Sequence, residues 1–244
     1  MKVTVVGFWG AYPAQGEATS SYLFEKDDFR LLIDCGSGAL AQLPKYIDPY
    51  DLDAVVLSHY HSDHIADVGV LQHLIKVQNQ IRNEARNLNI YGHAENQAAF
   101  AELTSSHTAG IAYQPNESLN LGPFTITFLK TIHPVPCYAM RVTDGAKTVV
   151  YTADSSYQDQ FIPFSNHADL LITDCNFYEE QDGSKPGHMN SKEGALIAEK
   201  AQVKTLLLSH QPHFWDRSQL ASEAKKYYSG TVRLAKSGYQ WPET

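Results

Sequence analysis

Seven consecutive residues, Ser58-His59-Tyr60-His61-Ser62-Asp63-His64, constrain this chain more than any other stretch. They follow Asp53-Ala54-Val55-Val56-Leu57, a Val-rich apolar run bounded by polar residues that reads as a buried strand. From Ile65 the apolar residues resume at helical spacing, so the heptapeptide occupies a strand-to-helix junction. His59 and His61 are two apart, and an extended backbone sends such residues to the same side. The pair can share one metal ion. Asp63 and His64 fall where the chain changes direction and can address a second point nearby, a geometry suited to two ions. Imidazole nitrogen and carboxylate oxygen suit zinc best and manganese or iron acceptably, with no thiolate required. A lone loop histidine reads as structural; three histidines and an aspartate at fixed offsets read as metal ligands.

With 244 residues, 43% of them hydrophobic, the chain can bury a large core and fits one α/β domain spanning 1–244. A formal net charge of -8 leaves no global basic footprint, which argues against extended nucleic-acid duplexes as partners. Cys35, Cys137 and Cys175 are odd in number and widely spread, so they form neither a disulfide framework nor a C-x-x-C pair. A reducing, cytoplasmic home is expected. The N-terminal apolar run is too short for a secretory segment, and no window approaches 18 apolar residues, so no membrane association is expected. No internal repeat or long linker marks a domain boundary.

Taken in order, Val3 to Phe8 reads as a strand ending in Gly7-Phe8-Trp9-Gly10-Ala11-Tyr12-Pro13, either a cleft-lining loop or a plain turn around a core Trp9. Thr19 to Glu25 and Phe29 to Asp34 form a hairpin about Lys26-Asp27-Asp28. A helix is predicted near Ala39 to Tyr46, and a long one from Asp67 to about Arg86 with Lys76, Arg82 and Arg86 on a solvated face. Leu88 to Tyr91 is a strand and Glu95 to Leu103 a helix. Thr104 to Pro115 has no period and reads as a loop able to serve as a lid, with His107 an ordinary surface histidine. Strands follow at Thr125 to Leu129, Tyr138 to Val142, Thr148 to Tyr151, Ala168 to Thr173, Thr205 to Leu208 and Thr231 to Leu234. Asn190 with Glu193 three residues on resembles a capping box opening a helix to about Ala201, and another helix covers Ser218 to Tyr227.

The pattern His59-x-His61-x-Asp63-His64 behind a hydrophobic strand resembles the signature of the metallo-β-lactamase superfamily. That resemblance implies a four-layer αββα sandwich and, in most members, a metal-dependent hydrolase. In the superfamily order, His133 completes the set of His59 and His61, His210 completes that of Asp63 and His64, and Asp154 bridges two Zn2+ ions, with Mn2+ or Fe as other possible metals. Asp34, in a strand ending Asp-x-Gly, either orients a ligand histidine or serves as a turn aspartate. Gly10-Ala11-Tyr12-Pro13, Leu32-Ile33-Asp34-Cys35-Gly36, His133-Pro134-Val135-Pro136 and Gly187-His188 are similar to ribonuclease Z and related zinc phosphodiesterases, over nearly the whole chain. In that family the histidine matching His188 works with an upstream acid at the reacting phosphate. Here the acid is Asp174, where the family usually has glutamate. Asp63, His188 and Asp174 are the expected catalytic residues, and a solvent molecule deprotonated between the ions is the expected nucleophile.

The long tRNA-gripping arm of ribonuclease Z is absent: only 20 residues separate His133 from Asp154. The expected substrate is therefore a phosphodiester, either an RNA 3′ end or a small nucleotide, with a homodimer implied by the resemblance. Competing readings are a hydrolase of thioesters, lactones or other carboxylic esters, a non-catalytic metal-binding or sensing module, and an iron-based redox protein of the same fold.

Overall fold

The structure, a computed structural model, describes residues 1–243. The chain packs as two compact units, Met1–Gln114 with the stretch from Lys236 onward, and Pro115–Ala235.

The first unit is built on a seven-stranded sheet: β1 (Lys2–Gly7), β2 (Ser21–Lys26), β3 (Phe29–Ile33), β4 (Ala54–Val56), β5 (Leu88–Gly92), β6 (Thr108–Ala112) and β14 (Gln240–Trp241), in the order β14-β1-β2-β3-β4-β5-β6. β1, β2 and β3 meander antiparallel, whereas β3 to β6 run parallel. The β2–β3 turn places Asp27 and Asp28 at φ 50° and 63°. Two successive left-handed residues match the right-handed twist of a hairpin, and aspartate tolerates that region better than most side chains. Helices α1 (Ala39–Gln42), α2 (Ser62–Ile65), α3 (Val68–Arg82) and α4 (Gln97–Ala101) accompany this sheet. Leu71, Ile75 and Val68 of α3 join Val6, Leu23, Leu32, Val55 and Ile90 in its core.

The second unit carries β7 (Leu119–Leu121), β8 (Phe124–Lys130), β9 (Tyr138–Thr143), β10 (Thr148–Tyr151), β11 (Leu170–Asp174), β12 (Thr205–Ser209) and β13 (Thr231–Leu234), ordered β13-β12-β11-β10-β9-β8-β7. β7 to β10 are antiparallel and β10 to β13 parallel. β11 is buried along its whole length, as the uninterrupted apolar run Leu170-Leu171-Ile172 requires of a central parallel strand. Helices α5 (Phe161–Phe164), α6 (Ser191–Lys200) and α7 (Ser218–Ala224) belong to this unit, with α6 against β11 and β12 and α7 against β13. The capping box at the start of α6 is present, Asn190 accepting from the Glu193 N–H while Glu193 accepts from the Asn190 N–H.

Three expectations need correction. Thr104 to Pro115 is no lid: it contains β6, paired with β5 from Leu88↔Thr108 to Gly92↔Ala112, and Tyr113 is buried with its hydroxyl donating to the Leu57 carbonyl. A half-exposed edge strand reading Thr-Ala-Gly-Ile-Ala has too few large side chains to alternate. The long helix ends at Arg82, because Asn83 turns left-handed at φ 55°. Lys76 and Arg82 are exposed as expected, Arg82 pairing with Asp48, but Arg86 lies beyond the helix, half-buried, with its guanidinium 5.3 Å from the Tyr50 ring. The short strands β7 and β14 were not legible. Among the described residues, no helix is long and apolar enough to cross a membrane.

Candidate metal centre

In each sheet the candidate ligands gather where parallel strands end at their carboxyl side. Asp34 follows β3, Ser58 and His59 follow β4, Asp154 follows β10, Asp174 closes β11 and His210 follows β12. The crevice beyond such ends is the habitual binding place of parallel sheets. At three of these exits the chain takes a left-handed residue: Asp34 at φ 57°, Ala153 at 51° and His210 at 49°. Non-glycine residues enter that region at a cost of about 1–3 kcal/mol, and such strain concentrates at functional sites.

In the first unit, the His59 and His61 rings stand 4.8 Å apart, edge to face, as their spacing predicts. His59 and His64 approach to 4.1 Å, and Asp63 Oδ2 lies 3.7 Å from His64 Nε2. All but His61 are buried. Asp34 accepts the N–H and the hydroxyl of Ser58 at 2.8 Å each and lies 2.8 Å from His64 Nδ1. Ser58 Oγ, its proton given to Asp34, lies 3.0 Å from His59 Nδ1. Oxygen acceptors at both Nδ1 atoms place the ring protons there and the lone pairs on Nε2, which is how ligand histidines are usually held. Of the two readings of Asp34, orientation of a histidine is the one the structure shows. Of the two readings of the Gly7–Pro13 stretch, the core Trp9 is the one observed, and the Ala11 N–H of the loop donates to Asp63 Oδ2 at 2.8 Å.

In the second unit, Asp154, Asp174, His188 and His210 each offer a ligand-type atom within 4.8 Å of the others. Asp154 Oδ2 lies 3.3 Å from His210 Nε2 and 3.9 Å from His133 Nε2. His133 Nδ1 is 3.0 Å from the Gly187 carbonyl. Asp174, fully buried, holds His188 Nδ1 at 2.8 Å and His210 Nδ1 at 3.5 Å, and accepts the Ser155 N–H. Burial works to raise the Asp174 carboxyl, but the charge and hydrogen bond of His188 and the contacts of His210 outweigh it and hold the group below its ordinary range. For His188, burial works the other way, yet the Asp174 carboxylate raises the imidazole above its ordinary value. The donor chemistry fits divalent zinc: imidazoles with Nδ1 engaged, joined by buried carboxylates, and no thiolate. All three cysteines are buried and stand outside any disulfide, and burial pushes the Cys35 and Cys175 thiols well up.

Several supporting groups were missed in the sequence. Ser58 stood inside the heptapeptide without a role, and Asn176, which donates to the His210 carbonyl at 3.0 Å, follows Asp174 by two residues. Neither the Ala11 N–H nor the Gly187 carbonyl is visible to motif reading, because each is main chain.

A family model described as a beta-lactamase superfamily domain matches residues 29–211, from β3 to the residue after His210. The chain belongs to the beta-lactamase superfamily. Within the superfamily it is 58% identical to a Bacillus subtilis protein named probable metallo-hydrolase YhfI, over 99% of both chains. A crystal structure of that metallo-beta-lactamase fold protein superposes with a TM-score of 0.97 at 57% identity, covering 98% of each chain. More distant superfamily members include ribonuclease Z of Thermoplasma acidophilum, 25% identical over 95% of this chain and 93% of the relative. The short form of human tRNase Z shares the fold, with a TM-score of 0.76 at 20% identity over 98% of each chain.

Proposed function

We propose that residues 1–244 act as one metallo-hydrolase domain, a phosphodiesterase in which His59, His61 and His133 hold one divalent ion, Asp63, His64 and His210 hold a second, and Asp154 binds both. When bound, the ions would lower the pKa of a water molecule and offset charge developing on phosphoryl oxygens. Asp34, Ser58 and the Gly187 carbonyl hold the imidazoles so that Nε2 is the ligand atom. His188, its Nδ1 held by Asp174, donates its Nε2 proton to the leaving oxygen, and Asp63 accepts a proton from the attacking water. The negative balance of the chain is no obstacle to anion binding, since two dications dominate the local field.

The observation that carries this reading is the 2.8 Å His188–Asp174 pair set among the donor atoms of Asp154 and His210. A protonated imidazole beside the ligands suits a poor alkoxide leaving group. The name of the Bacillus relative supports the hydrolase class, and the ribonuclease Z relatives support RNA ends as substrates. The stretch from His133 to Asp154 holds only β9, β10 and the turn Asp144–Lys147, with no arm to grip a folded RNA. A small nucleotide phosphodiester is therefore the favoured substrate and a short RNA 3′ end the second.

The test is turnover by zinc-loaded protein on bis-p-nitrophenyl phosphate, cyclic mononucleotides and a short 3′-extended RNA, beside lactone and thioester panels. Phosphodiester turnover at least 100-fold above the carboxylic substrates is expected. Turnover of lactones or thioesters alone would overturn it, and inertness on every ester class with two zinc ions bound would favour a binding module.

A further inference from the structure

We infer that the main-chain carbonyl of Gly187 is a positioning group for His133, so that the loop carrying His188 and the histidine on the β8–β9 connection move as one piece. The inference rests on the reading of His133 as a metal ligand and His188 as a proton donor.

A carbonyl oxygen only accepts, so the His133 nitrogen 3.0 Å from Gly187 O must carry the ring proton. The lone pair then belongs to Nε2, the nitrogen that lies 3.9 Å from Asp154 Oδ2. The approach demands glycine: residue 187 sits at φ +85°, and a Cβ there would meet Pro134 Cδ at 2.6 Å, His133 Nδ1 at 2.8 Å and His133 Cα at 3.1 Å. The loop is braced from behind. Gly183 O accepts the N–H groups of Gly187 and His188 at 3.1 and 2.9 Å, and Ser184 O accepts the Ser156 hydroxyl at 2.9 Å. Gly183 is crowded too, since a Cβ would fall 2.5 Å from His188 O. One residue beyond the carbonyl that orients His133, the His188 ring is held by Asp174. A displacement of this peptide would therefore disturb the two histidines together.

The first experiment uses unmodified protein stripped of metal. Long-range proton–nitrogen NMR correlations should show His133 protonated at Nδ1 and unprotonated at Nε2; an Nε2–H tautomer would overturn the inference. The second is Gly187→Ala with zinc affinity measured by chelator competition. One of the two zinc equivalents is expected to weaken about 10–100-fold, the range for loss of an orienting partner, with the other unchanged. Lys185→Ala, an exposed side chain of the same loop that leaves the carbonyl in place, should change neither affinity more than about twofold. Wild-type affinity for both equivalents in Gly187→Ala would overturn the inference, and if that variant does not fold, the tautomer measurement on the unmodified protein decides. If the unmodified protein takes up no zinc, the proposed function fails, while the His133 tautomer still tests the latch.

Discussion

Asp34 holds the His64 ring through a 2.8 Å contact from Oδ2 to Nδ1, and it reaches His59 through Ser58. One buried carboxylate thereby sets the tautomers of two histidines. Asp34→Ala would leave the Ser58 N–H, the Ser58 hydroxyl and His64 Nδ1–H without their acceptor in a site that water does not reach. At about 1–3 kcal/mol per orphaned buried donor, a loss of about 3 kcal/mol or more is expected in urea unfolding of metal-free protein. Zinc affinity should fall about 10–100-fold. Unfolding and chelator titrations that both match the unmodified protein would show that Asp34 orients nothing.

Gly36, two residues after Asp34, explains the glycine of the Asp-x-Gly signature. A Cβ there would meet the Asp63 carbonyl oxygen at 2.1 Å and Thr19 Oγ1 at 2.2 Å. The backbone of the Ser58–His64 loop packs directly on this peptide, and Cys35 N–H donates to His64 O at 2.8 Å. Gly36→Ala must push one of two buried main-chain segments away. A destabilisation of about 1–3 kcal/mol, the usual cost of overpacking, is expected together with loss of zinc binding, both read from thermal melts with and without zinc. Unaltered melts would mean that the loop yields at no cost.

Asp169 supplies a pH-dependent term away from the candidate ligands. It is 8% exposed and accepts from the Thr148 N–H at 2.9 Å and Lys204 Nζ at 2.8 Å, with Lys147 Nζ at 3.5 Å. Burial pushes its carboxyl up, but the Lys204 and Thr148 hydrogen bonds and both lysine charges outweigh burial and hold the group below the ordinary aspartate range. A carboxyl lowered on folding contributes stability that is present above its unfolded pKa and lost as pH falls through the folded one. In metal-free protein the stability gap between unmodified chain and Asp169→Asn should be constant from pH 7 to about 5, then close below about 4. Urea midpoints at pH 7, 5, 3.5 and 2.5 test this; a gap that widens on acidification would reverse the sign.

The His59-x-His61-x-Asp63-His64 cluster stood out from residue types at fixed offsets, whereas His133, Asp154, Asp174, His188 and His210 were singled out only by resemblance to a family order, since single residues spread over the chain carry no local pattern. Long apolar runs such as Leu170-Leu171-Ile172 and the capping box at Asn190 were legible because local chemistry settles them. What escaped is non-local or main chain. β6 is a strand only because β5 offers it an edge, β14 because β1 does. Arg86 stacks on Tyr50 instead of facing solvent because Asn83 ends the helix first. The donors and acceptors that orient Asp63 and His133 belong to peptides at Ala11 and Gly187, which no side-chain pattern announces.

A His188 variant tests proton donation apart from metal binding. His188 Nδ1 is committed to Asp174, so only Nε2 can face a substrate, and the Asp174 carboxylate raises the imidazole above its ordinary value against the opposing effect of burial. Loss of a general acid costs about 10²–10⁴-fold in rate, so His188→Ala should lower kcat on a cyclic mononucleotide, whose leaving group is an alkoxide, by that range, and on bis-p-nitrophenyl phosphate by less, while zinc content stays at the unmodified value. A substrate with a better leaving group needs less protonation, so the deficit should shrink along a series of aryl phosphodiesters of falling phenol pKa. Asp174→Asn removes the charge but keeps the shape, and because Asp174 also touches His210 it should reduce both kcat and zinc affinity. Elemental analysis beside steady-state rates distinguishes the two variants. A His188→Ala protein that loses zinc along with activity would make His188 a ligand instead of an acid, and a deficit independent of leaving group would remove it from proton transfer altogether.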